Sequence, residues 1–287
     1  RMFDSSCQES IGEMKERDFV RKRKIMFRRG ASILPSLFTL GNMLLGYMAV
    51  ISAIKGNFEH SVNLCLAAGI LDMLDGRIAR MTGTSSEFGK ELDSLSDFLS
   101  FGIAPALILY FWGFSELGKF GWLFAFLLPL AGGIRLARFN VQAQVVDKRF
   151  FVGLPIPAAA AAALFPLYFL DADFLERVKS LSRNGALAIK TVALAYVILI
   201  AFMMVSTVKY RSFKDFDMAK RKPAPFFFFL MIFIIIIVLY PQGVLLSGAL
   251  AYLFSGPFSL LAEKIFRKSH KNELKQEEIK DNEEKKN

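Results

Sequence analysis

The sequence predicts an all-α fold, a polytopic transmembrane bundle of about eight spans. Hydrophobic residues make up 54% of the 287 positions, and 30 of them are phenylalanine. There are 36 basic and 26 acidic residues, and 29 of these charges lie in the first 30 and the last 25 positions. The apolar middle suffices for about eight helices of roughly 20 residues, the length that crosses a bilayer. This composition excludes a soluble globular enzyme and a disordered chain.

Charge and hydropathy divide the chain into four parts. Residues 1–31 are a basic cytoplasmic segment, either a short amphipathic helix on the membrane surface or a cluster that only sets topology. Six spans within 32–208 form a predicted catalytic core, and 209–262 hold a basic loop and two further spans. Residues 263–287 form a charged cytoplasmic tail. The apolar segments are 33–54, 61–81, 92–113, 120–140, 154–170, 186–208, 225–240 and 243–262.

The loops support this order of segments. If the N-terminus is cytoplasmic, the spans with even numbers end in the cytoplasm, where basic residues are enriched. The loop after span four contains Lys148 and Arg149, and the loop after span six is more basic still. The net charge of +10 is therefore explained by helix orientation and contact with anionic lipid. We expect the lipid bilayer as a partner and no nucleic acid.

Four aspartates flank the connection between the second and third spans. Asp72 and Asp75 are three positions apart, and Asp93 and Asp97 are four apart, so each pair shares one helical face. A carboxylate within a span costs at least a few kcal/mol, which makes such acids candidates for function. Two antiparallel helices with a short cytoplasmic connection would direct all four carboxylates into one pocket.

Such a cluster indicates a metal site. Its carboxylates repel one another strongly unless protons or cations compensate them. No cysteine lies nearby, and His60 and His270 are distant in sequence, so oxygen ligands favour Mg²⁺, Mn²⁺ or Ca²⁺. Two divalent ions would neutralise the four acids and could bind a phosphoryl or pyrophosphate group. The alternative is a cytoplasmic loop in which the acids pair with Arg77 and Arg80.

The stretch reads D-x2-D-G-x2-A-R-x8-G-x3-D-x3-D, with eight fixed residues across 26 positions. It resembles, without a gap, the signature of the CDP-alcohol phosphotransferase family of integral membrane enzymes. The resemblance implies transfer of a phosphatidyl group from CDP-diacylglycerol to a hydroxyl acceptor, with release of CMP. It implies two divalent cations, Mg²⁺ or Mn²⁺, held by the four aspartates, with Asp97 also acting as the base. The resemblance also implies that Gly76, Arg80 and, more weakly, Ser86 contact the CDP moiety.

Residues 33 to 160 are more widely similar to the branch of this family whose acceptor is L-serine. The matching stretches are 34–42, 96–106, 135–140 and 153–158. The resemblance implies a six-span core, a homodimer and a cytoplasmic active site in the prokaryotic cell (inner) membrane. The last two spans are an addition to that core.

Two arginines near the end of span four suit a serine acceptor. Arg135 and Arg138 lie three positions apart at about the depth of the aspartates, and a guanidinium matches the geometry of a carboxylate. The alternative is that these arginines only help to orient span four, because basic residues are enriched at the cytoplasmic ends of spans. Thr39 and Asn42 of span one are candidates for contact with the cytidine or its ribose, or for helix packing.

Two other functions remain open at this point. The same chemistry with glycerol 3-phosphate or an inositol compound would require a larger basic cluster than the span-four pair provides. A divalent-cation transporter would also use aspartates within the membrane, but near the bilayer midplane. Here they lie at one end of their spans.

Overall fold

The computed structural model describes residues 36–82, 86–142, 150–170, 174, 176–178, 185–211, 236 and 239–259. Within these ranges four helices are long and apolar enough to cross a membrane. They are Ser36–Ile54, Glu87–Trp112, Lys119–Val141 and Leu187–Val205. The predicted polytopic helical membrane protein is therefore confirmed.

The helices follow the predicted order. Helix α1 is Ser36–Ile54 and α2 is Phe58–Thr82. Helix α3 is Glu87–Asp97. It continues through a π-helical turn, Phe98–Ile103, into helix α4, Ala104–Trp112. Helix α5, Lys119–Ala125, leads into α6, Leu127–Gln142. Next come α7, Ile156–Leu164, with a 3₁₀ turn, Phe165–Tyr168, then α8, Gly185–Val205, and α9, residues 241–259. Strand β1, Phe150–Val152, pairs antiparallel with β2, Lys209–Arg211.

Some predicted segments differ from the helices observed. The fifth predicted segment, 154–170, is a shorter apolar helix, Ile156–Tyr168. The second predicted segment corresponds to α2, which contains charged residues and is not among the four helices apolar enough to cross a membrane. Most of the seventh, 225–240, lies outside the described residues, as do the segments 1–31 and 263–287. The eighth corresponds to α9.

Close packing of α1 against the π-helical turn sets the position of α1 relative to the aspartates. A Cβ on Gly46 would lie 2.4 Å from Oγ of Ser100 and 2.8 Å from its Cα. The Ser100 hydroxyl donates to the Asn42 carbonyl of α1 at 3.0 Å. Small residues at such crossings allow helix backbones to approach closely in a membrane.

A two-stranded ribbon, which the sequence analysis did not predict, closes the end of the bundle where α6 and α8 finish. Gly153 follows β1 with φ of 81°, and a Cβ there would lie 2.3 Å from the Met204 carbonyl oxygen. From β2, the fully buried Tyr210 donates its hydroxyl to the Leu253 carbonyl of α9 at 3.2 Å. Burial raises the pKa of Tyr210 to about 12, so the phenol remains a neutral donor at physiological pH. The ribbon thereby joins α9 to the helical core.

Candidate active site

The four aspartates converge as their spacing predicts. Oxygen atoms of Asp72 and Asp75 on α2 and of Asp93 on α3 all lie within 4.8 Å of one another. The carboxyl group of Asp97, one turn further along α3, is in hydrogen-bond contact with that of Asp72. The two helices therefore form one site with four carboxyl groups.

The chemistry of this cluster fits a divalent metal ion. Asp75 is only 4% exposed, and Oδ1 of Asp93 and Oδ1 of Asp97 are buried with no hydrogen-bond partner among the described residues. Buried carboxylates at such short separations need a compensating positive charge. Because the ligand atoms that the described residues bring together here are carboxylate oxygens, the site suits hard cations. The aspartates that would hold them are Asp72, Asp75, Asp93 and Asp97.

Helix α1 supplies a hydrogen bond to this cluster. The Thr39 hydroxyl donates to Oδ2 of Asp75 at 2.9 Å, and the Ser96 hydroxyl of α3 donates to the Thr39 carbonyl at 3.0 Å. Thr39 was expected to contact the nucleotide or to serve packing, and the structure places its hydroxyl on a candidate metal ligand instead. No sequence signal pairs a particular α1 hydroxyl with a particular aspartate, since that depends on the rotation of α1.

Asn42 lies one turn beyond Thr39 and is fully buried. Neither its amide nitrogen nor its amide oxygen has a hydrogen-bond partner among the described residues. A buried polar group left in this state costs about 1–3 kcal/mol. Asn42 therefore has both a donor and an acceptor available for a ligand.

The two arginines of α6 have different surroundings. Arg135 is 9% exposed, its charge interacts with that of Asp97, and its Nε has no hydrogen-bond partner among the described residues. Arg138 is only half-buried and donates from Nη1 to the Val205 carbonyl at the end of α8, at 3.4 Å. Of these two arginines, Arg135 is therefore the one with an electrostatic interaction with the aspartate cluster.

Comparison with known proteins agrees with this site. The family model for CDP-alcohol phosphatidyltransferases matches residues 32–192, more than half of the chain and all four aspartates. The chain belongs to the CDP-alcohol phosphatidyltransferase family.

Relatives of this phosphatidyltransferase carry a common name. CDP-diacylglycerol–serine O-phosphatidyltransferase of Helicobacter pylori is 38% identical over 182 residues, covering 63% of this chain and 73% of the relative. The Methanocaldococcus jannaschii protein of that name is 37% identical over 172 residues, 60% of this chain and 70% of the relative. The Bacillus subtilis one is 31% identical over 182 residues, 63% of this chain and 91% of the relative.

The remaining motif residues of this phosphatidyltransferase lie around the α2–α3 connection. The Gly76 backbone amide hydrogen-bonds the Asp75 carboxylate. Ser86 is the N-cap of α3, where its hydroxyl accepts from the Gly89 amide at 3.0 Å. Arg80 belongs to α2, but its side chain lies outside the described part of the structure.

Sequence reasoning missed one residue near the phosphatidyltransferase site. Tyr252 of α9 lies close enough to Arg135 for the two side chains to interact electrostatically. It belongs to an apolar C-terminal helix outside the family motif, and no spacing rule relates it to α6. This electrostatic interaction follows from the folded structure and from no sequence pattern.

Proposed function

We propose that this chain is a CDP-diacylglycerol–serine O-phosphatidyltransferase, which transfers the phosphatidyl group of CDP-diacylglycerol to L-serine and releases CMP. The observation that carries the proposal is the aspartate cluster, in which oxygen atoms of Asp72, Asp75 and Asp93 lie within 4.8 Å of one another. The relatives described above bear this name, and the chain covers at least 70% of each of them.

Asp97 is suited to the proton transfer. Its carboxyl group is in hydrogen-bond contact with that of Asp72, and its charge interacts with that of Arg135. In the proposed reaction, the serine hydroxyl gives its proton to Asp97 while its oxygen forms a bond to the phosphorus that carries the lipid. The bond from that phosphorus to the CMP oxygen breaks, and CMP leaves. Two Mg²⁺ or Mn²⁺ ions, held by the aspartates, would supply positive charge to the diphosphate.

Arg135 is suited to the carboxylate of serine. Its buried guanidinium, whose Nε has no hydrogen-bond partner within the described part of the chain, can form charge-assisted hydrogen bonds with a planar carboxylate. Because Arg138 donates to a main-chain carbonyl at the end of α8, a single buried arginine is present at this position in the described structure. A phosphorylated acceptor would require more positive charge than this arginine supplies, which supports the proposal of serine over glycerol 3-phosphate.

The CDP-lipid would bind on the α1 and α2 side of the cluster. Asn42, whose amide has no hydrogen-bond partner among the described residues, would contact the cytidine or its ribose. Gly76 and Arg80 of α2 and Ser86 at the start of α3 would contact the CDP moiety. Thr39 would act indirectly, through Asp75.

An apolar cavity of about 230 Å³ lies between α2, the π-helical turn and α7. Met73, next to Asp72 in sequence, lines it together with Gly69, Phe101 and Ala160. A cavity with an almost wholly apolar lining suits an acyl chain of the lipid substrate.

The proposal extends to the organisation of the whole chain. Residues 32–208 would form the catalytic core, with the aspartates at the cytoplasmic face of a prokaryotic inner membrane. This orientation rests on the basic residues that follow spans four and six. A homodimer is proposed on the family resemblance alone.

The test is CMP release by purified protein supplied with CDP-diacylglycerol and a panel of acceptors. L-serine should give strong turnover, and glycerol 3-phosphate and inositol little. Equal or faster turnover with either of those acceptors would overturn the assignment of serine while leaving the family chemistry intact.

A further inference from the structure

A larger cavity lies at the end of the bundle opposite the aspartates. Its volume is about 650 Å³, against about 230 Å³ for the apolar cavity beside Met73. It forms where the turn between α1 and α2, the end of α4, the 3₁₀ turn after α7 and the start of α9 meet. Glu59 lines it, and Asp72 of the aspartate cluster lies about 20 Å further along the same helix, α2. The cavity is therefore separate from the candidate active site.

Aromatic residues indicate that this cavity lies at a membrane–water interface. Trp112 and Tyr168 line it, and they are the last residues of two apolar helices. Tryptophan and tyrosine are enriched where spans meet the lipid headgroups. The Trp112 indole N–H donates to the Leu170 carbonyl at 3.2 Å, and the Tyr168 hydroxyl bonds Oδ1 of Asn63 at 2.6 Å. Because their polar groups are bonded within the protein, these two residues offer the cavity mainly aromatic surface.

The charge of the cavity favours a cation. Glu59 is an exposed acid in its lining, and neither lysine nor arginine lines it in the described part of the structure. The Glu59 carboxylate accepts from the side-chain amide of Gln242 at 3.4 Å, and this amide brings no positive charge. The buried Lys190, which packs against Gly113, is already paired with Glu116 at 2.5 Å. A carboxylate together with aromatic surface is the combination that binds an ammonium group.

The first turn of α2 offers hydrogen-bond donors beside that carboxylate. Asn57 and His60 line the cavity, and both are exposed. The turn is held in place, since the Asn57 carbonyl accepts from the hydroxyls of Ser52 and Ser61 at 3.0 and 2.9 Å. The first backbone N–H groups of a helix have no partner within it and favour a phosphate. The two charges of a zwitterionic headgroup would thus both meet complementary groups in one cavity.

We propose that this cavity binds the headgroup of a zwitterionic phospholipid, with its ammonium group at Glu59 and its phosphate at the first turn of α2. The lipid would belong to the leaflet opposite the aspartates. A lipid suits the site better than a soluble amine, because the polar rim continues into buried apolar residues, Trp112 and Leu167. Gln242 completes the site from α9, which lies beyond the region 32–192 that the family model matches.

The test is native mass spectrometry of the purified full chain in detergent, with phosphatidylethanolamine or phosphatidylglycerol of the same acyl chains. The wild-type chain should bind phosphatidylethanolamine in preference to phosphatidylglycerol, which has no ammonium group. Glu59→Gln should weaken phosphatidylethanolamine binding roughly 5-fold, and Glu59→Lys should remove the preference. Glu59 is exposed, so neither substitution disturbs the core. Glu176→Gln is the matched control, because Glu176 is also exposed and does not line the cavity, and it should bind as wild type.

Equal affinity of the wild-type chain for the two lipids overturns the inference, and so does an unchanged preference in Glu59→Lys. Ethanolamine tests the other source of an ammonium group. If ethanolamine displaces phosphatidylethanolamine at a comparable concentration, the cavity binds a free amine and the lipid proposal is wrong. These measurements need no turnover, so their outcome is independent of the proposed function.

Discussion

Thr39 on α1 donates its hydroxyl to Oδ2 of Asp75 on α2 at 2.9 Å, which places a helix without any aspartate in direct contact with the candidate metal site. The contact is held from the other side by the hydrogen bond from Ser96 of α3 to the Thr39 carbonyl. Three helices therefore cooperate in orienting one carboxylate. Such outer contacts commonly decide how tightly a metal is bound.

Thr39→Val should weaken metal binding while preserving the shape of the side chain. Loss of an outer hydrogen bond to a metal ligand typically costs about 10- to 100-fold in metal affinity or activity. The measurement is the Mg²⁺ or Mn²⁺ concentration that gives half-maximal CMP release. Thr39→Ser keeps the hydroxyl and should need nearly the wild-type concentration. If valine and serine variants share the wild-type metal dependence, the hydrogen bond does not support the metal site.

Asp97→Asn should separate proton transfer from substrate binding. The amide keeps the shape and one ligand oxygen but cannot accept the proton, so turnover should fall by about 10²- to 10⁴-fold. Binding of CDP-diacylglycerol at high Mg²⁺ or Mn²⁺ should remain measurable, because Asp72, Asp75 and Asp93 still offer carboxylates. CMP release at saturating serine and CDP-lipid binding should be measured on the same preparation.

The comparison variants are Asp72→Asn and Asp75→Asn. These should lose substrate binding and activity together, with partial recovery in excess metal. Recovery of Asp97→Asn to near wild-type rates by excess metal would show that Asp97 is only a ligand and that another group accepts the proton.

Arg135→Ala should raise the KM for serine and leave CDP-lipid affinity nearly intact. A lost charge-assisted hydrogen bond costs about 1.5–3 kcal/mol, or about 10- to 150-fold in kcat/KM. Arg138→Ala should have a much smaller effect on serine, since Arg138 donates to the Val205 carbonyl. Steady-state kinetics with varied serine distinguish the two. Unchanged serine kinetics in both Arg135→Ala and Arg138→Ala would leave the two arginines with a topological role.

Gly46→Ala should destabilise the bundle where α1 crosses the π-helical turn. The added Cβ would lie 2.4 Å from the Ser100 hydroxyl and 2.8 Å from the Ser100 Cα, so the helices must separate. Overpacking of this kind costs about 1–3 kcal/mol, which a thermal melt in detergent should reveal as a lower Tm. Gly69→Ala is the matched control, because its nearest contact would be an ordinary 3.8 Å from the Phe101 ring. Equal Tm values for the two variants would contradict the tight crossing.

Local regularities of the chain were enough to predict the membrane bundle and the aspartate cluster. Apolar runs of about 20 residues predict membrane-spanning helices, because about 20 helical residues cross a bilayer. The runs must be helical, because a helix satisfies its own backbone hydrogen bonds in lipid. Spacings of three and four place Asp72 with Asp75, and Asp93 with Asp97, on single helical faces whatever surrounds them. The short connection between α2 and α3 then brings the two faces together.

The chain's local patterns therefore predict its helices and the acidic face shared by two neighbouring ones. They do not predict that Thr39 donates to Asp75 or that Arg138 donates to the Val205 carbonyl, and these hydrogen bonds are seen only in the folded bundle. Such contacts join helices that are distant in sequence. Their partners depend on how each helix rotates about its own axis, and that rotation is set by packing at places such as Gly46 against Ser100 and Gly256 against Tyr210.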